Sequence, residues 1–449
     1  MTHAMRRSIG PIQATAMVAG TIIGASIFVQ PSVITAQVPT LGAVSAVWIV
    51  AGVLTLFGAL VTAELASAFP ATGGVYVFLR EAFSPLLGFL WGWAMFWSMH
   101  TGIIAAIAMV FATYVGHFVT LDARSVRLVA IAAILALTAI NYAGVQHGTR
   151  LQTAFTIGKV VAIAGVVVVG FALGSRDPAV GEPVGAALTA GPTSLRAFAL
   201  ALVAGLFAFG GWHMVTYAAG ETHEPERTIP RALLAGTLIV TGSYVALNAV
   251  YFHVLPVQQV IASQRIAADA AQAVLGAGAA GAASGLVIFS TFGALSGIVL
   301  AGPRVYHAMA GDGLLFRWLG ATHPRFRTPH RATALQGLWA AALVATGTYR
   351  ELFTRVVYTE WIFFGLMAVG LVLLRRRGGY APRYRVWAYP WVPLTFAASS
   401  GLIVLNQIAS EPGESAFGLS LVALGIPVYW WWIRRRNTQG MPHADHRLS

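Results

Sequence analysis

Residues 19–28 read AGTIIGASIF and residues 205–213 read GLFAFGGWH. Both stretches are strongly apolar, yet small residues that weaken a helix sit inside them. Gly20, Gly24, Ala25 and Ser26 interrupt the first; Gly210 and Gly211 stand side by side in the second. An unwound helix exposes backbone groups that have lost their partners. The N–H groups that open the second half-helix, with its dipole, suit a carboxylate. The carbonyls that close the first half-helix suit an ammonium. Two such breaks side by side would grip a zwitterion with backbone alone. The candidate amide donors are those of Gly24, Ala25 and Ser26, with the Ser26 hydroxyl nearby. The candidate acceptors are the carbonyls around Phe207, Ala208 and Gly210. Close helix packing is the rival reading, since Gly20 and Gly24 form a G-x-x-x-G pair. Two breaks at matching positions favour a binding site.

A third signal is a charge. Lys159 is the single lysine among 28 basic residues and lies inside FTIGKVVAIAGVVVVGF, residues 155–171. It follows Arg150 by nine positions, about 13 Å further along a helix. A charge at mid-bilayer costs at least ~2.5 kcal/mol on insertion scales. Either this side chain snorkels to the membrane surface, or its ammonium faces the interior of a helix bundle. A lysine that gave up its proton there would act as a buried acid–base group. Other polar residues carry weaker signals. Tyr244, Asn248 and Tyr251 share one helical face, and Ser290, Thr291 and Ser296 lie in another apolar segment. Trp361 is a candidate cavity cap, and Glu64, Arg80 and Glu81 are candidates for a gate. The twelve histidines include no H-E-x-x-H spacing, so no metal is expected. No phosphate-binding loop is present, and no cofactor is expected.

These residues must be held by membrane helices. Of the 449 residues 57% are hydrophobic and only 10% charged, and the mean hydropathy is +0.73; a soluble chain carries far more charge. The apolar runs are continuous rather than alternating, so they read as helices in a lipid bilayer. Twelve spans are expected, near 11–34, 40–66, 86–117, 128–143, 151–173, 195–220, 231–254, 281–310, 332–347, 356–374, 391–408 and 416–433. The start MTHAMRRSIGPIQ leads into a segment too long for a cleavable signal, so the first span is expected to stay. The net charge of +13 does not point to nucleic acid, because the arginines cluster in short loops. Only Arg124, Arg127, Arg176, Arg196, Arg265, Arg350 and Arg355 fall on the side opposite the termini. The positive-inside rule therefore puts both termini in the cytoplasm and the chain in the cytoplasmic membrane. The chain has no cysteine, which excludes disulfides and thiolate chemistry.

The interrupted spans are the first and the sixth. Each opens a set of five, and five is odd, so the two sets are expected to lie inverted in the membrane. The expected organisation is one transporter domain: repeat 11–173, repeat 195–374, and two added spans over 391–433. Broken helices at corresponding places in inverted halves are the mark of a transporter's central site.

GTIIGASIFVQPS at 20–32, AELASAFPATGGVYVFLREAF at 63–83 and GLFAFGGWHMVTYAAGETHEPERTIPRA at 205–232 resemble the amino acid–polyamine–organocation superfamily. SYVALNAVYF at 243–252, RVYHAMAGDGLLF at 304–316 and RVWAYPWVP at 385–393 resemble its branch of L-type amino acid transporters. The resemblance covers essentially the whole chain. It implies an all-α fold of the LeuT type, an inverted five-plus-five repeat with helices 1 and 6 broken, plus two extra helices. It implies alternating-access transport of amino acids, usually without sodium. Carried over by position, it puts the carboxylate site on Gly24, Ala25 and Ser26 and adds the Ile22 carbonyl to the amine site. It makes Phe207 the gating aromatic and places Lys159 where sodium-coupled relatives hold an ion. The chain departs from the family at G-A-S in span 1, often G-S-G, and at His213, both of which bear on side-chain specificity. Animal members join a heavy subunit through a cysteine, so a stand-alone carrier of the prokaryotic kind is expected.

The expected function is thus secondary transport of amino acids, by exchange or proton symport. A polyamine or organic-cation permease is the alternative; acidic side chains in the pocket would favour it, and spans 1, 3 and 6 offer none before Glu221. An intramembrane enzyme would need a catalytic pair in facing spans. Asp122, Asp177, Asp269, Asp312 and Asp445 all fall in loops or at span ends.

Overall fold

A computed structural model describes residues 7–24, 26–174, 194–276, 278–347 and 349–438. Among them the only extended pairing is an isolated bridge between Ile9 and Thr222; everything else is helix, turn and loop. Among the described residues eleven helices are long and apolar enough to cross a membrane, so the chain is an all-α multi-pass membrane protein.

The first span is split into α1 (Pro11–Ile22), a 3-10 turn (Ser26–Phe28) and α2 (Gln30–Gln37). Pro11 opens α1, where a missing N–H costs nothing. The second span is α3 (Leu41–Ala68), capped by the Thr40 hydroxyl, which accepts from Ala43 N at 3.2 Å. The short helix α4 (Val75–Ala82) precedes α5 (Pro85–Ala94), which Ser84 caps in the same way. A π turn at Met95–Met99 joins α5 to α6 (His100–Val115), completing the third span. The fourth and fifth spans are α7 (Ala123–Tyr142), capped by Asp122, and α8 (Val145–Leu173). The Asp122 carboxyl is held below its usual pKa by its hydrogen bonds to Ser125.

The sixth span is α9 (Leu195–Ala208) followed, after a break, by a 3-10 segment (Trp212–Glu221). The long α10 (Pro225–Val254) is the seventh, and α11 (Val257–Ala262) and α12 (Ile266–Leu275) link it to α13 (Ala279–Ala301) and α14 (Pro303–Gly311). Then come α15 (His330–Thr346), α16 (Tyr349–Arg375), α17 (Trp391–Ser410) and α18 (Pro412–Thr438). The expected ninth span is α15, with 17 residues. It covers about 26 Å, a little under the ~30 Å of a bilayer core, and it is the one expected span that length and apolarity do not count.

α1 lies at the centre, packed on α8, α10, α13 and the second half of span 6. α3 lies along α10, and α16 lies along α17. α17 and α18 sit at the periphery: Trp391, Leu402, Leu405 and Trp430 are exposed, as lipid-facing surface should be.

Candidate functional site

The two breaks meet. α1 stops at Ile22 because Ile23 turns out of helical geometry, at φ −71° and ψ 86°. The chain resumes as a 3-10 turn at Ser26. Ala25 lies outside the described residues. Among the described residues no backbone carbonyl accepts from the amides of Gly24 and Ser26, which open the second half. The carbonyls that end α1 are taken up by side chains from three other helices. Lys159 Nζ, on α8, donates to Gly20 O at 2.8 Å and to Ile23 O at 2.7 Å. The Tyr244 hydroxyl, on α10, reaches Ile22 O at 2.9 Å. Ser290 Oγ, on α13, donates to Gly24 O at 3.4 Å. Lys159 is fully buried, so its ammonium is in the bundle interior and not at a membrane surface. Small residues permit this closeness: a Cβ on Gly20 would stand 2.0 Å from Thr156 Oγ1, and one on Gly24 would stand 3.3 Å from the Ala294 side chain.

In span 6 the helix ends at Ala208, and Gly210 N donates back to Phe207 O at 2.9 Å. Gly211 then adopts φ +99°, a left-handed conformation that only glycine enters readily. Its carbonyl accepts from Thr21 Oγ1 of α1 at 3.2 Å. The Ala208 carbonyl accepts from the Tyr244 hydroxyl at 3.0 Å. One tyrosine thus bridges the carbonyl ends of both broken helices. Its single proton serves one carbonyl at a time, so a lone pair on each remains for an incoming ammonium. Phe207 and Gly210 are partly exposed beside this junction, as is Ser26 across it.

His213 is buried without exposure, and neither ring nitrogen has a hydrogen-bond partner. Its ring lies among Trp91 (5.9 Å between centroids), Trp212 (5.4 Å), Tyr217 (5.5 Å) and Phe364 (4.7 Å). Trp361 is buried, packed on Phe364 at 5.8 Å and Phe396 at 5.9 Å. It stands behind the Trp212–Phe364 layer rather than facing lipid.

Several partners were not legible in the chain. Tyr244 reaches two carbonyls through its place on α10. Glu221 and Arg304, both buried, form an ion pair at 3.1 Å. Glu64 pairs with Arg375 rather than Arg80, its Oε1 accepting from Nε at 2.7 Å, and also accepts from Val386 N at 2.6 Å. Arg80 pairs with Glu81 and with Asp312, and Asp312 also accepts from the Tyr76 hydroxyl. Burial, with the Asp312 charge, keeps Tyr76 above its ordinary pKa and therefore a donor. Burial opposes the Arg80 charge, but Asp312, Tyr76 and Glu81 outweigh it and raise its pKa. Glu360, in the middle of α16, is buried with 6% exposure.

Among the described residues no group of histidines and carboxylates could hold a metal ion. The arrangement offers backbone donors, backbone acceptors and one fixed ammonium, which is chemistry for holding a small zwitterion.

Comparison with known proteins agrees in kind. The family model described as amino acid permease matches residues 9–431. The chain is 30% identical to the serine/threonine exchanger SteT of Bacillus subtilis, over 97% of this chain and 98% of that protein. It is 30% identical to the human large neutral amino acids transporter small subunit 2, over 95% of this chain and 80% of that protein. It is 28% identical to the mouse b(0,+)-type amino acid transporter 1, over 96% and 89% of the two chains. These relatives are transporters rather than enzymes, and the chain belongs to the amino acid permease family of the amino acid–polyamine–organocation superfamily.

Proposed function

We propose that this permease is a secondary carrier of amino acids that works by alternating access without sodium, as an exchanger or a proton symporter. The observation that carries the reading is the Lys159 ammonium on the carbonyls of Gly20 and Ile23. A fixed cation at the end of the first half-helix does what a bound sodium ion would do there: it holds the break open and in register. The substrate carboxylate binds the amides of Gly24, Ala25 and Ser26. Its ammonium binds the carbonyls of Ile22, Phe207, Ala208 and Gly210. Phe207 acts as the lid, and Trp361 gates through the aromatic layer it packs on. In this reading residues 11–173 and 195–374 are inverted repeats, and residues 391–433 are the added pair. The chain is a stand-alone carrier of the cytoplasmic membrane with both termini in the cytoplasm; with no cysteine, it forms no disulfide to a heavy subunit. The name of its relative SteT, an exchanger, supports exchange.

The test is a panel of radiolabelled amino acids in proteoliposomes, with and without internal amino acid, with and without sodium, at two pH values. Counterflow that is indifferent to sodium is the expected result. Sodium-dependent uptake, or no counterflow with any amino acid, overturns the reading.

A further inference from the structure

Glu360 is a carboxylate inside a span, and among the described residues no basic side chain pairs with it. Ionisable groups at such depth are expensive and almost always face a bundle interior or a cavity. One turn further along α16, on the same helical stripe, Phe363 and Phe364 press on Trp91 at 5.4 and 5.9 Å. Phe364 also touches His213. Tyr217, on the same 3-10 segment as His213, packs its ring on the imidazole at 5.5 Å between centroids. His213 follows the left-handed Gly211 by two positions, so this group adjoins the break in span 6. His100, on α6, lies 6.5 Å from the Tyr217 ring and spends Nε2 on Ile298 O at 2.8 Å. His213 spends neither nitrogen.

A buried polar atom without a partner calls for an explanation, and a ligand supplies one. A neutral imidazole offers one donor and one acceptor, and a carboxylate offers acceptors only. A hydroxyl satisfies both, donating to one and accepting from the other. An amine donates to both and adds the missing positive charge. An aliphatic side chain satisfies neither and leaves them buried and unpaired, the circumstance in which polar sites discriminate most strongly. We propose that Glu360 and His213 form the side-chain end of the substrate compartment and select amino acids whose side chain carries a hydrogen-bond donor. The assignment rests on the carrier reading above and adds the substrate class.

Paired amino acids with and without the side-chain donor test it. Inhibition of counterflow by threonine is compared with that by valine, and inhibition by lysine with that by norleucine, in proteoliposomes of wild type, Glu360→Gln and His213→Leu. The wild type should prefer the donor-bearing member of at least one pair by roughly tenfold or more. A hydroxyl-selective site shows its preference in the first pair and loses it in His213→Leu. An amine-selective site shows it in the second and loses it in Glu360→Gln. Each ratio is taken within one protein sample, so reduced folding of a variant does not mimic the effect. Valine and norleucine competing as well as their partners in wild type overturns the proposal, as do ratios unmoved by both substitutions, while counterflow itself leaves the carrier reading standing. Loss of all counterflow in wild type overturns both.

Discussion

Lys159 is fixed by two carbonyls that α1 cannot satisfy alone, and replacing it frees both. Lys159→Ala should lower uptake by roughly tenfold or more, given about 1–3 kcal/mol for each buried acceptor left unpaired. The check is uptake per molecule of folded protein in the membrane. A wild-type rate would remove any role for the tether. The pH profile separates two roles: a simple tether leaves the profile's shape intact in the variant, whereas a proton carrier flattens it. Ser26 faces the same break from the other side. Ser26→Leu puts a branched side chain beside the exposed amides and should abolish substrate protection in a thermal-shift assay; unchanged affinity would move the carboxylate elsewhere. Both residues were legible in the chain, because a lone charge or a small-residue run inside an apolar segment is a local anomaly. Tyr244 was legible only as a polar residue on a helical face. That its hydroxyl reaches Ile22 O and Ala208 O depends on how α10 packs against two other helices. Glu360 sits near the expected start of its span, where a carboxylate reads as interfacial, so its burial was not visible.

At the scale of elements, the breaks are encoded by backbone conformation. Gly211 at φ +99° turns the chain between α9 and the 3-10 segment, and a Cβ there would lie 3.2 Å from Thr21 Cβ and 3.3 Å from Thr21 O. Gly211→Ala should therefore cost about 1–2 kcal/mol and reduce transport by pushing span 6 away from α1. A lower melting temperature together with slower exchange is the expected pair of readings; a variant with wild-type melting and exchange would mean the turn tolerates a side chain. Phe207 lies in the last turn of the helix that leads into this turn. Phe207→Ala should slow exchange more than it weakens first binding, since lid closure belongs to the cycle rather than to contact. Equal losses would make Phe207 a binding or packing residue. The spans were readable because apolar length dominates their formation. The π turn at Met95–Met99 was not, for its sequence MFWSM is as apolar as an ordinary helix. The early starts of α8 at Val145 and α16 at Tyr349 extend beyond the apolar runs and were equally silent.

At the scale of the whole molecule, one end of the bundle is laced together. The buried Glu221–Arg304 pair joins span 6 to α14, and the Glu221 carbonyl also accepts from the amides of Ser8 and Ile9, ahead of α1. Arg375 on Glu64 ties α16 to α3, and Arg80 on Asp312 ties α4 to the end of α14. All of these contacts lie on the side of the N-terminus, so ion pairs bridge the bundle on that side of the central breaks. Breaking a buried pair by removing one partner costs about 3–5 kcal/mol, whereas removing both charges is often nearly neutral. Glu221→Gln alone should thus destabilise the protein strongly. Glu221→Gln combined with Arg304→Met should recover most of the melting temperature while loosening that side of the bundle. Because the chain has no cysteine, Ser26→Cys supplies a sole thiol at the first break. That thiol should be labelled from the N-terminal side faster in the double charge variant than in the parent, with threonine or lysine absent. Equal labelling rates in two well-folded proteins would mean that the ion pair fastens the bundle without controlling access to the site.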